Sequence, residues 1–424
     1  MASESGSMRA NSSTSQSDGY YRTVEETRIL DLLCIAGWAE QYRRAPHAAR
    51  SAATNALERW VAAGLPFRGN GAASRTFDPA EVINFAKALG IRGADDFWEH
   101  AYVATARSLI DGLRTHGERF QLRLERHVNL AHYDAGERVR IHLPLPLEDG
   151  STDDLRVVPD VDGETPLESA RTETGRMIAT IAVPQSKIAS VAAEISFRCH
   201  PERSERSERS RRAAGIVDTA LYLRPKEDLV QITPRVVELA KKLGIDERDP
   251  LDAMRRIWDY MFEAMTLGVV HYVALPPENI LDAVIDTALF DCRLGAALSI
   301  ALCRACRIPA RIRSGYALYA VPYYHYWSEV WTEDRGWLPF DLICWDLSLR
   351  GRDATWRDVF FGKLDARMTT ETLPRTFTGF PTVQFPNAWH VLSRPLDNGA
   401  AFGLFAVETG ALVYEDRLSF NVNA

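Results

Sequence analysis

The sequence predicts an α+β chain made of unlike parts in series, and three observations carry that expectation. Apolar residues recur at helical spacing from Thr23 to about residue 115. The period then falls to two, with Phe120, Leu122 and Leu124 alternating with polar residues, as do Val139, Ile141 and Leu143. Past Pro225 helical spacing returns, and the segment after it ends in a helix and a hairpin that carry a thiol, an imidazole and a carboxylate.

At 424 residues the chain has room for two or three domains and a sizeable core. Its 46% hydrophobic and 25% charged residues are those of an ordinary globular protein. A net charge of -7 gives no basic footprint for nucleic acid, and no run reaches the length of a membrane-spanning helix. Neither nucleic acid nor membrane is therefore expected as a partner. Met1 to Asp18 is Ser-rich and polar, so residues 1–18 are expected to be disordered. They lack the basic start and apolar run of a secretory leader, which makes cytoplasmic residence the expectation.

From Thr23 the elements follow in order. Thr23-Val24-Glu25-Glu26 has the pattern of a capping box ahead of Leu30, Leu33, Cys34 and Trp38. A second helix is predicted from His47 to Ala63, stopping at Gly64, a third from Asp78-Pro79 and a fourth after Asp95-Asp96. Together they make a helical module over 19–115, whose expected role is packing or docking.

Residues 116–225 are predicted as an antiparallel β-sandwich, with further strands near 155–158, 176–183, 190–198 and 215–223. Within it, 199–213 holds a tandem Ser-Glu-Arg repeat, Ser204 to Arg209 at its centre. Glutamates interleave the arginines, so this reads as a solvated, functionally silent loop. A core follows over 226–370, with helix starts at Thr233-Pro234 and Asp249-Pro250. Strands at 402–407 and 411–420 predict a small β extension, 371–424, beside that core.

The chemistry lies between Asp291 and Asp341. Leu294, Leu298, Leu302 and Ala305 fall near one face of a helix that Pro309 ends, which puts Cys292 in its first turn. There the helix dipole favours thiolate, so Cys292 is the nucleophile candidate. Cys303 is its close rival but lies three turns along. The six cysteines (34, 199, 292, 303, 306 and 344) make no disulfide framework. Cys303 and Cys306 read as buried small hydrophobes, because no second C-x-x-C or His pair accompanies them. No metal or cofactor is expected.

His325 supplies a general base, later an acid for the leaving group, and Asp341 an acceptor that fixes its tautomer, with Asp346 in reserve. A condition follows from strand geometry. A four-residue loop, Glu333 to Gly336, turns Asp341 away from His325. A three-residue loop, Asp334 to Gly336, pairs it opposite Glu329 on His325's face. The expectation is an odd-length loop with Gly336 left-handed, or a bulge near Pro339.

Four ordered segments also carry a family resemblance. Leu302-Cys303-Arg304-Ala305-Cys306-Arg307-Ile308-Pro309-Ala310-Arg311, Ser314-Gly315-Tyr316, His325-Tyr326-Trp327-Ser328-Glu329 and Gly336-Trp337-Leu338-Pro339-Phe340-Asp341 resemble the motifs of the transglutaminase-like superfamily. The resemblance implies a papain/transglutaminase-like catalytic core. The segment Arg138 to Pro146 is similar to the immunoglobulin-like domain that precedes the core in many relatives. Arg307 stands where the family has Gly, and Phe290-Asp291 stands for Gly-x before the cysteine. Asp291 there would oppose thiolate formation.

What this implies is a thioester formed at Cys292 from a peptide, protein or small-molecule acyl donor. An amine acceptor would resolve it by amide-bond formation or exchange, and water would resolve it as an amidase or peptidase. A non-catalytic scaffold is the alternative of a different class. The Cys292 backbone N–H and a donor from His271 or Tyr272 would hold the oxyanion, the latter two by position only. Trp327, Tyr324 and Tyr316 are candidates to line the cleft. No EF-hand pattern argues for calcium.

Overall fold

The computed structural model describes residues 24–69, 74–78, 81–82, 84–86, 118–147, 152–160, 167–169, 176–199, 219–227, 229–245, 249–268, 270, 275–276, 278–318, 323–345, 348, 354–364, 367–372, 394–396, 401–408 and 411–423. The Ser-Glu-Arg repeat, the fourth predicted helix, His271, Tyr272 and Asp346 lie outside them, as does the side chain of Tyr324.

The N-terminal part is helical: α1 (Glu26–Gly37), α2 (Ala39–Arg44) and α3 (Pro46–Ala62). Ile29, Leu33, Trp38, Ala53, Leu57 and Trp60 form its buried core. The N-cap of α1 is Glu25, and Thr23 of the expected capping box lies outside the described residues. Val24 and Glu25 pair antiparallel with Phe77 and Thr76, and Glu25 caps α1 without a side-chain bond. Glu26 accepts from Arg75 Nε at 2.6 Å, and the same buried guanidinium reaches Glu58.

Two sheets follow. The strands are β1 (Glu118–Asn129), β2 (Arg138–Pro144), β3 (Thr152–Asp160), β4 (Leu167–Ser169), β5 (Arg176–Ala182) and β6 (Ile188–Cys199). β2, β5 and β4 form a three-stranded sheet in the order β2-β5-β4, while β1, β6 and β3 belong to a larger one. The alternation legible in the sequence is what buries: Phe120, Leu122 and Leu124 of β1 share a core with Ile141 and Leu143 of β2. Phe120 stacks on Phe197 at 5.5 Å between centroids. Of the strand predicted near 215–223, only 219–223 lies within the described residues, and that part is not a strand. Thr219–Leu223 is a 3-10 turn that sends Tyr222 edge-on against Trp337, 4.7 Å between centroids.

The next helices are α4 (Pro234–Lys242), α5 (Pro250–Ala264), α6 (Ile280–Thr287) and α7 (Cys292–Ala305). Thr233 and Asp249 cap α4 and α5 as their positions predict, each accepting backbone N–H groups ahead of a proline. α7 is buried on every side from Arg293 to Arg304, as a central helix must be. It packs on a sheet made of β7 (Ala310–Ala317), β8 (Tyr323–Thr332), β9 (Gly336–Phe340) and β10 (Arg367–Thr372), in the order β9-β8-β7-β10. Leu298 and Leu302 of α7 meet Ile257 and Trp258 of α5 and Ile312, Val330 and Phe340 of the sheet in one core. Each such side chain contributes about 1.5–3 kcal/mol by burial.

The tail forms β11 (Arg394–Leu396), β12 (Ala401–Glu408) and β13 (Ala411–Asn423). They meet the core, where Asp416 accepts from Tyr316 of β7, but they do not form the separate extension expected from sequence. β13 runs antiparallel along β1 from Tyr414 to Asn423 and completes the larger sheet in the order β11-β12-β13-β1-β6-β3. A buried charge fixes it there: Asp416 accepts from Arg126 Nε and Nη2 at 2.6 and 2.7 Å.

Candidate active site

Cys292 is the first residue of α7, and Asp291 is its N-cap, accepting from the Leu294 N–H at 2.8 Å. Asp291 thus closes the helix end. It also costs the thiol. Burial pushes Cys292 well above the ordinary thiol range, and the Asp291 carboxylate adds to it. Hydrogen bonds from the backbone of Tyr326 and Arg293 pull the other way without reversing it, and Asp341 adds a further upward push. Burial and Asp291 thus favour the protonated thiol, against the helix dipole's pull toward thiolate. The residue as a whole is half-buried, and its sulfur lies against the backbone of Tyr326, the residue after His325.

His325 is buried on β8, and its Nε2 lies 2.7 Å from Asp341 Oδ1. The loop geometry brings them together. β8 and β9 pair Thr332 with Gly336 and Ser328 with Phe340, which leaves the three-residue loop Glu333 to Arg335. Gly336 has φ +73°, the left-handed backbone that favours glycine. The loop is odd, as placing Asp341 on His325's face requires, but sits one residue earlier than the loop predicted. Pro339, not Asp341, faces Glu329. A shift of two residues in pairing keeps the face, so Asp341 still turns toward His325.

Asp341 is 1% exposed and makes three contacts. Oδ1 takes His325 and the Ile343 N–H at 2.9 Å, and Oδ2 accepts from Arg367 Nη2 at 2.9 Å. Burial alone would raise this carboxyl, but His325, then Arg367 and the Ile343 N–H outweigh it and hold it below the ordinary carboxylate range. Arg367 escaped the sequence reading. A lone arginine heading a polar strand carries no signal, and its partner is set by the non-local pairing of β10 with β7.

The remaining candidates divide. Trp327 is 2% exposed, two places along β8 from His325 and opposite Arg313 of β7. Tyr316 does not line a cleft, as had been expected. It is 1% exposed, belongs to the core shared with the two β-sheets, and its hydroxyl donates to Asp416 at 3.1 Å. Cys303 is buried, its sulfur 3.8 Å from that of Met254. Gly315, opposite His325, sits where a side chain would collide with the Met368 carbonyl of β10, so the Ser-Gly-Tyr segment needs glycine for close backbone approach. Among the described residues no cluster of three His, Cys, Asp or Glu could hold a metal ion, and no helix is long and apolar enough to cross a membrane.

A thiol at a helix start, packed on a sheet whose strands join an imidazole to a carboxylate, defines a cysteine-superfamily core. Residues 237–342 match the family model of the transglutaminase-like superfamily, which supports a core of that kind within this α+β fold. No curated protein matches the sequence. Among solved structures, the chain is similar to a candidate cysteine protease from Cytophaga hutchinsonii at 17% identity and TM-score 0.40, covering 72% of this chain and 99% of that one. The periplasmic domain of TgpA from Pseudomonas aeruginosa matches at 18% and 0.28, covering 57% and 93%. A candidate protease from Parabacteroides distasonis matches at 10% and 0.26, covering 71% and 69%. The cytoplasmic expectation is corrected by this comparison, since the TgpA domain is periplasmic. A polar, Ser-rich stretch such as Met1 to Asp18 does not decide compartment.

Proposed function

We propose that the chain catalyses cysteine-dependent acyl transfer, with Cys292 as nucleophile, His325 as general base and Asp341 as the group that orients it. The observation that supports this best is the buried 2.7 Å contact of His325 Nε2 with Asp341 Oδ1, one residue from the backbone that touches the Cys292 sulfur. With Nε2 donating to Asp341, Nδ1 is the nitrogen that takes the thiol proton. Transfer of the thiol proton to His325 accompanies attack on the acyl carbon, since burial and Asp291 oppose a free thiolate. The proton then passes from Nδ1 to the leaving amine or alcohol, and a thioester remains on Cys292.

An amine resolves the thioester in our reading: it attacks the acyl carbon as His325 removes its proton, the C–S bond breaks, and the proton passes from His325 to the departing Cys292 sulfur as the amide forms. The partners are a peptide, protein or small-molecule acyl donor and an amine acceptor. Trp327 walls the site from water on His325's side of β8. Residues 19–115 serve as a helical module and 116–225 as an immunoglobulin-like sandwich, both outside the chemistry.

Mass spectrometry with a labelled amine and a panel of glutamine peptides and esters tests the proposal. Labelled amide in the product, absent with Cys292→Ala, supports transfer. Free acid alone makes the enzyme a hydrolase, and no turnover with any donor leaves the scaffold reading standing.

A further inference from the structure

The Asp341 carboxylate is shared between a titrating group and a fixed one. Oδ1 faces His325 and the Ile343 N–H, and Oδ2 faces Arg367, whose side chain is 2% exposed and whose guanidinium carbon stands 5.1 Å from the Phe360 ring centroid. Both oxygens are thus committed, and the carboxylate cannot rotate to offer His325 a different edge. Arg367 lies on β10, 25 residues past the end of the family match, and reaches the site because β10 pairs with β7, Arg367 opposite Ala317.

We infer that Arg367 is a positioning residue of this site, clamping Asp341 for His325 and setting by its fixed charge the pH window in which the pair works. The inference rests on the acyl-transfer reading above. A buried cation beside a coupled acid–base pair lowers the proton affinity of every member of it. Among the described residues, Cys292 and Asp291 at the start of α7 bear on the site, and on the same face of the sheet Arg313 of β7 lies 3.8 Å from Glu329 of β8. Arg293 lies over the Tyr326 ring at 5.0 Å. Of the cations, Arg367 is the one bonded to the Asp341 carboxylate.

The test compares wild type, Arg367→Lys and Arg367→Met as full chains, with p-nitrophenyl acetate as the acyl probe. For Arg367→Met both limbs of the kcat/KM profile should move up by about one pH unit, and Arg367→Lys should restore them. A rate that falls with the limbs unmoved, or a lysine variant that behaves as the methionine one, overturns the inference by making Arg367 merely structural. Carbon NMR of the Asp341 carboxyl needs no turnover. It should show an anion throughout about pH 5 to 8 in wild type, and a protonated carboxyl there overturns the inference even if Arg367→Met fails to fold. If Cys292 takes no acyl group, the acyl-transfer reading fails, and the carbon titration of Arg367→Met against wild type still judges the role of Arg367.

Discussion

Arg311 and Glu329 stand directly opposite each other on β7 and β8, with Nη2 2.6 Å and Nε 2.8 Å from one carboxylate oxygen. The same guanidinium lies 4.1 Å from the Trp337 ring centroid on β9. Three of the four segments that carry the family resemblance are therefore bound to one another by packing rather than by chemistry. Glu329→Ala should strand a mostly buried arginine and lower stability by about 3 kcal/mol in urea unfolding. Acylation per folded molecule should stay near wild type; a large loss there would give Glu329 a role in the site.

Arg307 has φ +62° and ends α7 in a Schellman turn, in which the Arg307 N–H donates to Arg304 and the Ile308 N–H to Cys303. The family's glycine is thus explained by backbone, and this chain bears the strain of a side chain there. Arg307→Gly should raise stability by about 1 kcal/mol, read from the urea midpoint at constant slope.

Removal of the Asp341 charge leaves Arg367 buried without its carboxylate, so Asp341→Asn should cost about 3 kcal/mol and most of the activity. The sign of the pH dependence follows from the native carboxyl being held low. Its contribution is complete above the unfolded value of about 3.9 and is lost as pH falls through the lower native value. The difference in urea stability between wild type and Asp341→Asn should therefore be constant near neutrality and shrink below about pH 4. A difference that persists undiminished in acid would mean that packing, not charge, is what Asp341 supplies.

Tyr316→Phe separates a core residue from a cleft residue. Loss of the hydroxyl bond to Asp416 should cost about 1 kcal/mol of stability. The KM for any acyl donor should not change, and a raised KM would return Tyr316 to the substrate cleft.

Much of this site was legible because its parts are local. The first turn of α7, the proline that follows it and the hairpin's odd loop are all written within 50 residues, and period-two patterning decides which face Asp341 takes. The loop's position was missed by one residue because Gly336 opens β9 rather than closing the turn. What was not legible depends on contacts between distant segments. Arg367 meets Asp341 only through strand pairing, and Tyr316 is claimed by Asp416, a hundred residues on. The helix dipole and Asp291 beside Cys292 can both be read from sequence, but the burial that raises the thiol cannot. Compartment was judged from composition, which does not encode it.

The most direct measurement is intact-protein and peptide mass spectrometry after rapid quenching with an activated acyl donor. We expect the mass of one acyl group on the peptide holding Cys292, discharged by added amine and absent in Cys292→Ala and, under the same brief exposure, in His325→Ala. Acyl mass on Cys303, Cys306 or a lysine with Cys292 unmodified would contradict the assignment.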